Sequence, residues 1–243
     1  MGPIIKSEWT KFSSAHWCLF GLLLTLSLPA VILLFKNSSL TAEDSWSASE
    51  LMVQSRQVLF QGQAGLIVSA AYFFGQEYSF HSLRTTLLTE PSRKKVLLAK
   101  YLLLSVVGIG ASLLSGIICV LLLSTLNELP FSTAFLLHSL LEFFPVLLSA
   151  LLLTWLTGAL AITFKSFMLP FVLLISLLLG FSQMLLAMTE WAKFLPDIAV
   201  MNLFLDESSP FFLEVETGVI CQFLWVFVFG FYSSWQWLVR DVR

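Results

Sequence analysis

The chain has 243 residues, a mean hydropathy of +0.88, 58% hydrophobic residues and only 12% charged ones. Soluble domains carry about 25% charged residues; this composition excludes a soluble globular fold, and its apolar residues fall in blocks of about 20 or more, enough to cross a ~30 Å hydrocarbon core at ~1.5 Å per residue. The formal net charge of -2 orients nothing, because membrane topology follows Lys and Arg placement, and three cysteines inside apolar runs (Cys18, Cys119, Cys221) exclude a disulfide framework and match no metal motif.

The first polar stretch, residues 3–15, places Ile5, Trp9 and Phe12 at i, i+4 and i+7 with Lys6 and Lys11 off that line. This pattern predicts a short amphipathic helix lying in the membrane interface. Trp17 to Phe35 is too long for the apolar region of a signal peptide, roughly 7–15 residues, and reads as a retained first span. Six spans are predicted, at about 17–35, 57–76, 96–126, 134–164, 166–189 and 217–238, with ends uncertain by ~2–4 residues. They make one all-α integral membrane domain over 1–243. Pro145 is a candidate kink in the fourth span, since proline removes a backbone donor and clashes with the preceding turn.

With the N-terminus inside, the inner segments hold Lys6, Lys11, Arg84, Arg93, Lys94, Lys95, Lys100, Lys165, Arg240 and Arg243. The outer segments hold Lys36, Arg56 and Lys193, which completes the 13 basic residues. Ten against three predicts both termini in the cytoplasm. Trp17, Trp235 and Trp237 fall near inner boundaries and Trp191 near an outer one, the depth amphipathic rings favour. Acidic residues gather on the outer segments, the ordinary solvated complement of that bias.

Between the second and third spans, Phe80, Leu83 and Leu87 share one helical face, opposite Ser82, Thr85, Thr86 and Thr89. Pro91 stops this helix, because the residue before a proline leaves the α region, and Ser92 is placed to cap the next one. Residues 77–90 therefore read as a second amphipathic helix at the cytoplasmic membrane face, where anionic lipid is available. After the fifth span, Trp191, Phe194, Leu195 and Ile198 repeat at i, i+3, i+4 and i+7. That predicts short helices at 190–216 dipping into the outer leaflet, with their backbone satisfied within the protein.

Chemical motifs are sparse. The chain has no G-x-x-x-x-G-K-[ST] for ATP, no H-E-x-x-H and no G-x-S-x-G. Nothing suggests a catalytic, cofactor or metal site, and no basic stripe suggests nucleic acid. His138 and Glu142 share a face of the predicted fourth span. An acid at mid-bilayer costs about 2.5–3.5 kcal/mol on insertion scales, so the pair should face protein or water, as a point on a translocation route, a proton site or a hydrated boundary pair. Gln61, Gln63 and Gln183 also fall in spans. With Gly62 and Gly65 they suit close helix packing, and Gln183 is a second candidate for the route.

The passage "FFGQEYSFHSLRTTLLTEPSRKKVLLAK" (73–100) resembles the first cytoplasmic loop of type-2 ATP-binding-cassette (ABC) permeases. That family shows an acidic-aromatic pair ending the second span, an amphipathic helix, a P-x-R turn and a lysine opening the third span. Here Glu77-Tyr78, Leu83-Arg84-Thr85-Thr86-Leu87, Pro91-Ser92-Arg93 and Lys100 fill those places, although Phe80-His81-Ser82 stands where the family often has Gly-Thr. The segment "IIKSEWTKFSS" resembles the family's N-terminal elbow helix. The resemblance implies that residues 77–90 are a coupling helix seated on a separate ABC ATPase subunit, which would bind the ATP. Glu77, Tyr78, Phe80, Leu83, Arg84, Leu87 and Arg93 would be the contacting set. It also implies a second permease chain, identical or related, in a bacterial cell membrane, and export of an amphipathic substrate such as an antimicrobial peptide (the lantibiotic export and immunity group) or a drug. Two readings from other classes stand beside it: an intramembrane enzyme using His138 and Glu142, and a non-transporting scaffold or sensor partner.

Overall fold

The computed structural model describes residues 2–38, 48–78, 92–127, 141–205 and 208–239. Its regular structure is entirely helical: α1 (Gly2–Ser14), α2 (His16–Ser38), α3 (Ala48–Gly75) followed by a 3-10 turn (Gln76–Tyr78), α4 (Arg93–Leu126), α5 (Phe144–Phe164), α6 (Met168–Ser176), a π turn (Leu177–Phe181), α7 (Ser182–Met188), 3-10 turns at Glu190–Phe194 and Ile198–Leu203, and α8 (Val215–Val239). Among the described residues, six segments are long and apolar enough to cross a membrane, the fifth being Met168–Met188 as a whole.

α3 and α5 form the centre, and the other spans surround them. The cores of the bundle are correspondingly mixed in origin: Phe60, Ile67, Leu152, Leu156, Leu178 and Phe204 make one cluster, and Phe12, Phe73, Phe74, Leu104, Ile162 and Trp237 make another at the end of the bundle that carries α1. Outer faces of α2, α4 and α8 stay apolar yet exposed, as at Leu23, Val106 and Phe231. In water that exposure would be costly; against lipid tails, which are as apolar as leucine, it is neutral.

The α2–α3 pair is the most extensive helix contact in the molecule, and glycine makes it possible. Gly21 and Gly65 stand face to face, so a Cβ on Gly65 would overlap the Gly21 carbonyl and the Thr25 hydroxyl. Ser69 donates across the same seam to the Cys18 carbonyl at 2.9 Å. The small-residue packing expected around Gly65 is therefore realised, with Gly21 as its partner. Gly65→Leu should force these backbones apart, and the stability loss should exceed the ~1–3 kcal/mol of ordinary overpacking. A Gly65→Ala variant, checked in parallel by thermal unfolding in detergent, should fall between Gly65→Leu and the native chain.

Several expected boundaries move. The second span's helix begins at Ala48, well before residue 57, because Glu50, Gln54 and Arg56 are polar but still helical. Pro145 stands beside a break in the helical backbone: Leu141 and Glu142 are helical, Phe143 is a turn and α5 starts at Phe144, while 128–140 of the expected fourth span lie outside the described residues. Pro145 lies in the first turn of α5, where its missing N–H costs no hydrogen bond. The fifth span is broken where apolar composition gave no warning: Gly180 takes φ +111°, a conformation open to glycine, and the helix widens into the π turn. α1 buries Ile4, Glu8 and Phe12, so the line Ile5–Trp9–Phe12 is only partly right. Trp9 is half exposed and stacks on Phe12. In the outer segment, Pro196 follows an extended Leu195, which divides the expected helix into two 3-10 turns. Cys18 and Cys119 are buried and free, as expected of small apolar residues, whereas the free Cys221 is only half-buried.

Candidate functional site

The segment 79–91 lies outside the described residues, but both of its roots are described, and both are pinned. The first root, Gln76–Tyr78, turns out of α3. The second, Ser92 and Arg93, opens α4. Between them and α1 sits a cluster of four charges. Lys100 Nζ lies 2.7 Å from Glu8 Oε2 and 2.9 Å from Glu77 Oε1. Lys11 Nζ lies 2.9 Å from Glu8 Oε1 and 3.0 Å from Glu77 Oε1. The exposures are 0% for Lys100, 1% for Glu8 and for Glu77, and 32% for Lys11.

Three local rules deliver the four residues. Glu8 and Lys11 are i and i+3 on α1, hence on one face. Glu77 arrives because the 3-10 turn tightens the chain after Gly75. Lys100 lies two turns into α4, within the apolar run "VLLAKYLLL", and its ammonium sits 4.1 Å from the centre of the Phe73 ring. That ring offers its electron-rich face to the cation. Two lysines and two glutamates sum to zero, so the cluster can be buried at the membrane edge without a net charge. Burial pulls the Lys11 ammonium down, but Glu77 and Glu8 outweigh that and hold it above the ordinary lysine value. Beside the cluster a cavity of about 600 Å³ opens between Lys11, His16, Trp17, Tyr72 and Gln76.

A second lock ties the roots to the last span. Trp237 of α8 is buried and donates its indole N–H to the Arg93 carbonyl at 3.1 Å, while Arg93 Nη1 donates to the Trp237 carbonyl at 3.3 Å. The Tyr78 ring meets the Trp237 indole edge-on, with centroids 6.3 Å apart. Glu77 and Tyr78 on one root and Arg93 on the other are thus bound to α1, α4 and α8.

Of the residues expected to contact an ATPase, Glu77, Tyr78 and Arg93 come together in this clamp, with Glu77 turned into the protein. Phe80, Leu83, Arg84 and Leu87 fall outside the described residues, as does His138. Glu142 lies just before α5, 39% exposed, with Arg56 Nη1 of α3 at 3.4 Å. Gln183 is exposed on α7, and Gln63 is buried between helices. Among the described residues no group of His, Cys, Asp or Glu is placed to hold a metal ion.

Sequence reasoning missed Glu8, and it used Lys11, Lys100 and Trp237 only as markers of topology, depth or family pattern. One signal was available. A lysine flanked on both sides by apolar residues must find a counter-charge, and Glu8 and Glu77 are two of the four acids, with Glu90 and Asp241, that the predicted topology puts on the same membrane face.

No curated protein and no solved structure matches the chain. A family model described as "ABC-2 family transporter protein" matches residues 4–183, which takes in most of α1, the four-charge cluster, four described spans whole and most of the fifth. The chain belongs to the ABC-2 transporter family and is a multi-pass membrane permease of an ABC transporter.

Proposed function

We propose that this permease is driven by a separate ABC ATPase subunit that grips residues 79–91, and that it exports an amphipathic substrate, an antimicrobial peptide or a drug. The observation that carries the reading is the double anchoring of that short segment. Its first root is ion-paired to α1 and α4 through Glu77, and its second is hydrogen-bonded to α8 through Arg93. A handle attached to one helix would swing; one bonded to three elements passes displacement into all of them. ATP-driven closure of paired ATPases would pull 79–91, and α1, α4 and α8 would follow as a unit. A second permease chain, identical or related, would complete the route, with both termini on the cytoplasmic side of a bacterial membrane. The amphipathic substrate class rests on family likeness.

The intramembrane-enzyme reading loses ground to this one, because Arg56 supplies Glu142 with a structural partner. The scaffold reading shares the docking step and differs in lacking nucleotide-dependent movement of a substrate. Leu83→Asp places a charge on the apolar face of 79–91 and should abolish co-purification of the ATPase while leaving the permease folded. Co-purification that survives Leu83→Asp counts against docking at this segment.

A further inference from the structure

Beyond the family-matched region, the outer segment folds onto α7 and α8, and a carboxyl group is buried in that joint. Asp197 is 4% exposed. Its Oδ2 is hydrogen-bonded with the hydroxyl of Ser182, the first residue of α7. The same Ser182 Oγ lies 2.9 Å from the carbonyl of Leu177 in the π turn. Gln222 of α8, fully buried, donates its amide to the Pro196 carbonyl at 3.2 Å. A carbonyl can only accept, so this contact fixes the amide orientation. Asp197 Oδ1 and Gln222 Oε1 make no hydrogen bond.

Counting hydrogens at Ser182 favours the neutral acid. A serine hydroxyl carries one, and an ionised carboxylate carries none. With Asp197 ionised, Ser182 faces two acceptors and can satisfy one. With Asp197 neutral the chain closes: Asp197 donates to Ser182, and Ser182 donates to the Leu177 carbonyl.

No charge nearby argues for the ionised form. Met168–Met188 and α5 contain no titratable residue. The outer turns contribute Glu190, which is exposed, and Lys193, whose ammonium lies 5.6 Å from the Phe194 ring centre. α8 contributes Glu216, Cys221 and Tyr232, with the Cys221 thiol directed at the Phe194 carbonyl, 3.3 Å away. Among the described residues none of these is ion-paired with Asp197. Burial pushes the Asp197 carboxyl up from the usual aspartate range, and the Ser182 contact with the backbone amides of Asp197 and Ile198 offsets only part of that.

We propose that Asp197 is a proton-binding site of the outer segment: as a neutral acid it bonds Ile198–Leu203 to the π turn through Ser182, and loss of the proton releases the segment. The inference concerns the opposite end of the molecule from the clamp and does not rest on the export reading.

The sign of the pH effect follows from linkage. A carboxyl raised in the folded state contributes stability at low pH that is lost as pH rises through its folded value. Thermal unfolding of the full-length protein in detergent, from about pH 5 to 9, should show the wild type losing stability with pH relative to Asp197→Asn. The asparagine keeps a neutral donor toward Ser182. Backbone amides of Ile198–Leu203 should exchange hydrogen faster at high pH in the wild type, beyond the intrinsic base-catalysed increase, and not in Asp197→Asn. Parallel profiles for the two proteins would overturn the proposal, as would an Asp197→Asn variant less stable at every pH, which would mean that the site needs the charge. Should Asp197→Asn fail to fold, the wild type decides alone. At neutral pH, 13C-aspartate labelling should shift an infrared carbonyl band of a protonated carboxylic acid, and its absence would refute the neutral form.

Discussion

Lys100→Met should lower the stability of the solubilised permease by about 3–5 kcal/mol, the cost of removing one partner from a buried ion pair. Methionine keeps much of the length and apolar stem of lysine but removes the ammonium that lies 2.7 Å from Glu8 and 2.9 Å from Glu77. Two buried carboxylates would then share Lys11 alone, itself one-third exposed. The cost should be largely recovered in Glu8→Gln/Glu77→Gln/Lys100→Met, which removes both unpaired carboxylates, because a buried ion pair is often replaceable by neutral groups at little net loss. Denaturation in detergent reads both. A Lys100→Met variant within about 1 kcal/mol of wild type, the range of an exposed pair, would show that water reaches the cluster and that it is no clamp.

Trp237→Ala should have a comparable effect for a different reason. Truncating a buried tryptophan costs about 3–5 kcal/mol through lost packing and the cavity left behind. Here it also removes the indole N–H from the Arg93 carbonyl and the ring from Tyr78. Trp237→Phe separates the two contributions. It keeps an aromatic partner for Tyr78 and loses the hydrogen bond, worth about 1 kcal/mol. Both variants should accelerate hydrogen exchange at Ser92–Val96, the first turn of α4, with alanine the larger. If exchange there is unchanged in Trp237→Ala, the last span does not hold the second root.

The six spans were legible because hydropathy over about 20 residues is a one-dimensional signal and the bilayer fixes its length. What hydropathy cannot carry is a backbone event inside an apolar run. Gly180 lies in "LISLLLGFSQML", where Ser176, Ser182 and Gln183 are the sparse polar residues any span can carry, yet the helix widens there. Helical spacing was a partial guide in α1. It found the amphipathic helix and chose the line Ile5–Trp9–Phe12, while the protein-facing stripe runs through Ile4, Glu8 and Phe12. Glu8 did not enter that line, which counted apolar residues only. Glu8 is buried because Lys100, more than ninety positions away in the sequence, supplies its counter-charge. No local pattern contains that information; only the packing of α1 against α4 brings the pair together. The outer segment shows the same limit: aromatics at helical spacing were read correctly as structured, but Pro196 set the geometry and Asp197 passed as one of many outer acids. The predicted coupling helix at 77–90 is described only at its first root, where Glu77 proved to be an internal brace.

The most direct test of the clamp is a distance measurement across it. With Cys18, Cys119 and Cys221 replaced, spin labels at Ser13 of α1 and Lys94 of α4, both exposed, report whether the elbow helix and the second root move together. Electron–electron resonance on the permease bound to its ATPase should give one narrow distance, unchanged between nucleotide-free and ATP-trapped states, while labels at Lys94 and Ser38 change theirs. A Ser13–Lys94 distance that shifts or broadens when nucleotide is trapped would mean that α1 and α4 part during the cycle, and the four charges could not be the joint through which motion enters the spans.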